Sequence, residues 1–161
     1  MAVDIFLKFD TFDGDSQDKE HTDEVDVLDW RWGGSQSGTM HIGTGGGAGK
    51  VDVQDMTILK YHDKATPNLW KILCNGKHEK EVKLTARKAG GDAPVEYLVI
   101  TLKEVLVSSM ATGGSSNDDL ATETVTLNFA EFKMEYTPQD EKGAAGAKIE
   151  AGWNIRKNEP V

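Results

Sequence analysis

A glycine-rich run of eight residues is the first feature of this sequence whose residue types and spacing could bind a ligand. Residues 43–50 read GTGGGAGK and end in a lysine, as a Walker A phosphate-binding loop does. That loop requires glycine where Thr44 stands and serine or threonine where Val51 stands, so both requirements fail. A strand rather than a helix is predicted to follow, which argues against a dinucleotide-binding turn. The run instead predicts a long, flexible hairpin arm, because its five glycines permit left-handed backbone geometry.

Acidic and histidine side chains offer the next candidates, for a metal ion. Asp13, Asp15 and Glu24 stand at positions 1, 3 and 12 of a calcium loop, but Asp18 occupies the position that requires glycine. The four histidines, at positions 21, 41, 62 and 78, show no zinc-binding spacing, and Cys74 is the single cysteine. We therefore predict a solvated acidic loop, with no metal ion and no other cofactor.

Catalysis by a serine nucleophile and binding to nucleic acid are also disfavoured. The sequence holds no Gly-x-Ser-x-Gly nucleophile elbow, and we predict that the protein is not an enzyme. Its 18 lysines and arginines against 27 aspartates and glutamates give a net charge of −9, and residues 10–29 alone hold nine acids and one base. An acidic chain without a basic patch suits neither a nucleic acid nor an anionic membrane, so we predict neither as a partner.

Length and polarity predict a single domain, 1–161, that is not inserted in a membrane. A chain of 161 residues can bury a sizeable core. No stretch of 18 or more apolar residues is present, and Asp4 and Lys8 interrupt the apolar N-terminal run, so we expect neither a membrane span nor a signal peptide. A lone cysteine fits a reducing, cytoplasmic compartment.

Alternating apolar positions predict an all-β fold. Apolar side chains at positions 3, 5, 7 and 9, and again at 82, 84 and 86, alternate with mostly polar ones. The apolar positions change parity between Val27 and Leu28, and again between Phe129 and Phe132. A bulge or a change of sheet must absorb such a slip, as at the corners of small barrels. We therefore predict a small closed or nearly closed β-barrel built from two sheets.

One short α-helix, over about residues 66–75, interrupts the strands. Thr66 can cap its start, Pro67 suits its first turn, and Gly76 can supply the left-handed residue that ends it. The small polar residues 108–117 predict a turn, residues 139–148 a loop, and residues 149–155 a last strand. Trp30 and Trp32 share one parity and are expected in the core.

Several stretches, taken together in their order and spacing, resemble the haemolysin co-regulated protein (Hcp) family. These are GDSQDKEH at 14–21, VLDWRWG at 27–33, KY at 60–61 with the aspartate at 63, TPNL at 66–69, CNGK at 74–77, EYL at 96–98, residues 102–109 and 123–129, and GWNI at 152–155. The resemblance runs from residue 1 to about residue 157.

This resemblance implies a tube subunit of the bacterial type VI secretion system. Members form homo-hexameric rings that stack into a tube, which a contractile sheath drives out of the cell beneath a valine-glycine-repeat spike. The lumen can hold small effector proteins. The resemblance therefore implies a Gram-negative source and export through this machine without a signal peptide. No segment of domain size follows the last predicted strand, so we expect a plain tube subunit without a toxin extension.

Two sets of residues are candidates for these roles. The arm is expected to contact a neighbouring subunit or ring through Thr44, Gly45, Gly46, Gly47, Ala48, Gly49 and Lys50. Ser109, Ser115 and Ser116 are candidates for the lumen wall, since small polar side chains leave room for varied cargo, although an external solvated turn explains them equally well. The alternative functions are a monomeric β-barrel binding module and a secreted effector.

Overall fold

The computed structural model describes residues 3–43, 47–88 and 93–161, and in these ranges the chain forms eleven strands and one helix. The strands are β1 (Val3–Phe9), β2 (Val25–Asp26), β3 (Asp29–Arg31), β4 (Gly34–Gly38), β5 (Ala48–Val53), β6 (Met56–Tyr61), β7 (Glu79–Lys88), β8 (Val95–Gly113), β9 (Thr122–Tyr136), β10 (Ile149–Asn154) and β11 (Glu159–Pro160), and the helix is α1 (Ala65–Asn75).

Nine of these strands form one antiparallel sheet, in which β2, β1, β7, β8 and β9 are successive neighbours. The long strand β9 pairs with β8 on one side. On its other side it pairs with β6 through residues 122–127 and with β10 through residues 131–136. Strand β6 pairs in turn with β3, and β10 with β11. The remaining strands, β4 and β5, form a separate two-stranded hairpin.

The short connection between β2 and β3 links β1 to β6, the two sides of the sheet that meet in the barrel. The Val27 N–H donates to the Ile5 carbonyl of β1 at 3.0 Å, and the next N–H, that of Leu28, donates to the Leu59 carbonyl of β6 at 2.8 Å. The first change of parity in the sequence is therefore a change of partner strand. The second falls where β9 leaves β6 and takes up β10. The predicted all-β, nearly closed barrel of two sheets is confirmed.

Side chains from all the long strands meet in one apolar core. Leu7 of β1, Leu84 of β7, Ile100 of β8 and Leu127 of β9 are each buried almost completely. Burial of such side chains contributes about 1.5–3 kcal/mol each. Trp30 and Trp32 pack against this core as partly buried side chains. The helix adds Ala65, Leu69 and Ile72, all buried, on its inner face.

The helix confirms the prediction for residues 66–75 to within one residue, but its expected N-cap is wrong. The helix begins at Ala65, whose N–H donates to the Asp63 side chain at 3.0 Å. The Thr66 hydroxyl instead accepts from the Asp63 N–H at 3.0 Å, the back-bond of a capping box, while the Thr66 N–H donates to the Asp63 carbonyl at 3.1 Å. At the other end Gly76 has φ 69 and donates to the Ile72 carbonyl, as predicted.

The turn expected over residues 108–117 is wrong for its first six residues. Strand β8 continues through Gly113, because after a register shift at Ser108 the alternating start of β9 pairs with residues 109–113: Ser109 pairs with Thr126 and Gly113 with Thr122. The small polar side chains occupy exposed strand positions there. Residues 139–148 lie outside the named strands, as expected, with one isolated bridge between Gln139 and Ala145.

Candidate assembly surfaces

The predicted glycine-rich arm is a β-hairpin that leaves the barrel at Trp32. Strands β4 and β5 pair from Gly34 opposite Val53 up to Gly38 opposite Ala48. The Trp32 indole N–H donates to the Gln54 carbonyl at 2.9 Å and fastens the base of the arm to the barrel. Near the far end the Thr39 hydroxyl donates to the Gly47 carbonyl at 2.9 Å.

The candidate arm residues divide between this hairpin and its tip. Gly47, Gly49 and Lys50 lie on the described hairpin, where they are exposed, and Ala48 opens β5. A Cβ at Gly49 would collide with the Ser37 hydroxyl, so that side chain would have to rotate away to accommodate any other residue. Thr44, Gly45 and Gly46 lie outside the described residues.

Two large apolar side chains near the tip of the arm are strongly exposed. Met40 is 79% exposed and Ile42 61% exposed. They lie in the turn region between β4 and β5, beyond the last strand pair of β4. Sequence reasoning considered only residues 43–50 of the arm and did not single out these two residues, although both lie just before the glycine run.

A groove of ≈ 580 Å³ lies where the arm meets the end of the sheet. Apolar side chains from both elements line it: Val51 and Val53 of β5, Phe132 of β9, and Trp153 of β10. The indole N–H of Trp153 is buried without a hydrogen-bond partner among the described residues. The wall of the groove is therefore mainly apolar.

On the face of β9 that packs against the core, apolar side chains continue past the buried part of the sheet. Phe132 and Met134 of β9 are partly buried against the core. Tyr136, which follows them on the same face, is 44% exposed, and its direct partner on β10, Ile149, is 65% exposed. The subunit alone thus leaves an apolar surface at its β9–β10 end.

The three candidate lumen serines lie on the β8–β9 hairpin. Ser109 lies within β8, and Ser115 and Ser116 lie in the connection to β9, all three with exposed side chains. The Ser115 carbonyl accepts from the Asp118 N–H at 3.0 Å, so this connection is a hydrogen-bonded turn. The β8–β9 hairpin thus presents small polar residues to solvent along β8 and in its turn.

The acidic segment between β1 and β2 is anchored to the barrel, whereas a solvated loop was expected. Arg87 of β7 donates to both Asp18 carboxylate oxygens and to Asp4 at 2.9 Å. The hydrogen bond with the Arg87 guanidinium holds the pKa of Asp18 far below its usual range. His21, buried, contacts Glu24, and its Nε2 lies 2.8 Å from a Glu96 oxygen of β8.

Two aromatic contacts complete this anchor. The His21 ring stacks on Phe6 with ring centroids 4.3 Å apart, and the Arg87 guanidinium lies 5.1 Å from the centroid of the same Phe6 ring. Nearby, burial and the neighbouring carboxylates, first among them Asp63, raise the pKa of Asp26. The Arg87 hydrogen bonds to Asp18 and Asp4 join residues 69 and 83 positions apart, so no local sequence pattern could have predicted them.

In residues 3–43, 47–88 and 93–161, no group of three or more histidine, cysteine or acidic side chains is placed to hold a metal ion. In the same ranges, no helix is long and apolar enough to cross a membrane. The candidate functional features are therefore surfaces: an exposed apolar sheet face, an apolar groove and a projecting arm.

A family model described as "Type VI secretion system effector, Hcp" matches residues 6–136, which is most of the barrel. The chain belongs to the Hcp family. It is a type VI secretion protein of a family of secreted tube proteins, not of enzymes. Protein hcp1 of Pseudomonas aeruginosa is 58% identical over 159 residues, covering 98% of both chains. The resemblance seen in the sequence is thus confirmed.

Solved structures of type VI secretion proteins share the fold over nearly the whole length. A crystal structure of Hcp1 from Salmonella typhimurium has a TM-score of 0.84 and 40% identity, covering 100% of each chain. A structure described as a type six secretion system protein has a TM-score of 0.93 and 31% identity, covering 99% of this chain and 100% of its own. A type VI secretion system effector from Yersinia pestis has a TM-score of 0.76 and 30% identity, covering 94% of this chain and 99% of its own.

Proposed function

We propose that this protein is the inner-tube subunit of a type VI secretion machine and assembles into hexameric rings that stack. The observation that carries this proposal is the apolar sheet face at the β9–β10 end, where Tyr136 and Ile149 are exposed. Large apolar surfaces on soluble proteins mark interaction sites. A closed ring requires that such a face meets a different face of the next subunit, since its interfaces are heterologous.

A stacked tube also needs contacts between rings, and the arm is suited to make them. It projects from the barrel and carries exposed Met40 and Ile42 near its tip. Glycine-rich segments lose more backbone entropy than others when they are ordered, so a neighbouring subunit that binds the arm must supply compensating contacts. The sheath would then enclose the stack, the valine-glycine-repeat spike would cap it, and the tube would leave the cell through the machine.

Small effector proteins in the lumen are the proposed cargo. The exposed serines of the β8–β9 hairpin, Ser109, Ser115 and Ser116, are the proposed lumen contacts. A photo-cross-linker placed in turn at each position and at the exposed helix residue Lys71, as a control, tests this assignment. Cross-links to a bound effector from the serine positions alone support the lumen role, and cross-links from Lys71 alone refute it.

Native mass in solution tests the ring. Light scattering on a sizing column at low micromolar concentration should give a hexamer of six times 17.6 kDa, or 105.6 kDa. Replacing Ile149 by aspartate should shift the mass towards the monomer, because a charge in the covered face would be desolvated. Ile149→Leu, which keeps the face apolar, is the matched control and should form the ring. A wild-type monomer at every concentration contradicts the proposal and favours a binding module.

Stacking is tested at the arm. Replacing Gly45, Gly46 and Gly47 with bulky residues should weaken ring formation or shorten the tubes seen by electron microscopy, because bulky side chains restrict the backbone conformations that glycine permits. Unchanged ring mass together with unchanged tube length would remove the arm from the assembly.

A further inference from the structure

The most exposed of the large apolar side chains in the described ranges is that of a methionine, Met40. The other methionines in these ranges are protected: Met56 is fully buried, and Met110 and Met134 are partly buried against the core. An exposed thioether is the methionine that oxidants reach first. Met40 therefore combines chemical accessibility with a place near the tip of the arm.

We propose that Met40 is an oxidation site that controls assembly of this protein. The proposal rests on the proposed function, in which the arm contacts a second copy of the chain. Hydrogen peroxide, or another peroxide, is the reagent class. The thioether sulfur attacks one peroxide oxygen, a sulfur–oxygen bond forms, the oxygen–oxygen bond breaks, and water leaves, or an alcohol where the peroxide is organic. The sulfur loses two electrons to give methionine sulfoxide, and the peroxide is reduced.

Oxidation would change the arm tip from an apolar contact to a polar one. Methionine is well suited to contact surfaces because its flexible, polarisable chain adapts to a neighbour's shape. A sulfoxide oxygen is a strong acceptor, and burying it without a donor is unfavourable. Ile42, also exposed, remains apolar, so the tip would present mismatched chemistry to the surface that accepts it. We expect each oxidised arm to bind about tenfold or more weakly.

The number of arms in a ring would amplify this effect. Each subunit carries one arm, so a stack of hexamers would join its rings through several equivalent contacts at once. Linked contacts add their free energies, and a modest weakening of each one therefore becomes a large weakening of the whole. Sulfoxide is also reversible, because methionine sulfoxide reductases restore the thioether. Met40 can thus act as a reversible control on tube length.

The first experiment treats the free wild-type subunit with hydrogen peroxide and measures oxygen gain at each methionine by peptide mass spectrometry. Oxidised protein should form fewer and shorter tubes, and reductase treatment should restore them. Met40→Leu, which is apolar and cannot be oxidised, should assemble equally well before and after peroxide. Met40→Gln, a polar side chain of similar length, should assemble poorly without any peroxide. Because residue 40 is exposed, each variant should unfold at the wild-type temperature.

Three outcomes overturn the proposal. Protein fully oxidised at Met40 that assembles like untreated protein shows that the sulfoxide has no effect. A Met40→Leu variant that loses assembly on peroxide treatment shows that damage elsewhere is responsible. Equal rates of Met40 oxidation in assembled tubes and in free subunits, where we expect about tenfold protection in tubes, show that the arm tip is not covered. A wild-type chain that never assembles refutes the proposed function itself and is recognised before any peroxide is added.

Discussion

A buried ion pair joins the helix to the barrel, and its removal is the sharpest test of the fold. Lys60 of β6 and Glu123 of β9 are direct cross-strand partners, and each is 1% exposed. The Lys60 ammonium contacts Glu123, lies 2.9 Å from an Asp63 oxygen, and donates to the Thr66 hydroxyl at 3.3 Å. The Thr66 hydroxyl also donates to Glu123 at 2.7 Å. One cation thus contacts two carboxylates at the start of the helix.

Replacing Lys60 by methionine keeps a long, unbranched side chain and removes the cation. The change leaves the Glu123 and Asp63 carboxylates without the lysine counter-charge; the His62 imidazole remains 3.6 Å from Glu123. Breaking a buried pair in this way costs about 3–5 kcal/mol, which is a large part of the roughly 5–15 kcal/mol by which domains are stable. For a chain of this size each kcal/mol lowers the melting temperature by about 2–4 °C, so we expect a fall of roughly 6–20 °C.

Urea unfolding followed by tryptophan fluorescence, at a concentration where the chain is monomeric, measures the free energy of unfolding without a contribution from assembly. The matched control is Lys103→Met. The Lys103 ammonium is exposed and lies 3.8 Å from Glu131, and loss of such a pair costs about 0–1 kcal/mol. If Lys60→Met unfolds at the same urea concentration as Lys103→Met, the buried cation does not hold the helix and the reasoning is refuted.

Three further predictions concern single positions. Because Arg87 lowers the folded-state pKa of Asp18, the pair stabilises the fold at pH values above the ordinary carboxyl pKa. This stabilisation is lost as the pH falls below about 4. The urea midpoints of wild type and Asp18→Asn should therefore converge on acidification. Gly76→Ala should cost about 1 kcal/mol in the same assay, since only the backbone at φ 69 opposes it, whereas Gly113→Ala, equally open and without a left-handed backbone, should cost almost nothing. Leu69→Ala should cost about 2–5 kcal/mol in thermal unfolding, because it empties a fully buried site; a melting temperature within one degree or so of wild type would contradict its packing role.

Local patterns predicted those parts of the fold that local forces determine. Alternation placed β1 and β7, Gly76 ended the helix, and the two changes of parity marked the places where a strand changes partner. The turn over residues 108–117 was wrong because composition alone cannot show that the alternating start of β9 would supply a partner for β8. The N-cap at Thr66 was wrong because Asp63, three residues earlier, offered a competing carboxylate.

The candidate surfaces were predicted only in part. The arm followed from its glycines, but the exposure of Tyr136 and Ile149 did not, because alternating apolar residues look the same whether or not the sheet is covered. A signal for the buried pair was present: Lys60 and Glu123 each stand at an apolar position of their own strand's alternation. The anchor of Asp18 on Arg87 depends on topology and left no trace in the sequence.

The pairing of the first strand has a consequence for how the chain is made. Strand β1 lies against β2, which is only two residues long, and against β7, where Phe9 meets Val82 and Val3 meets Lys88. A ribosome adds about 5–20 residues per second, so β1 leaves the exit tunnel on the order of 4–16 s before its main partner. During that time its apolar face has no lasting cover, since isolated strand pairs are marginally stable. Closure of the barrel is therefore a late event of high contact order, and the nascent first strand is the segment that a holding chaperone should bind.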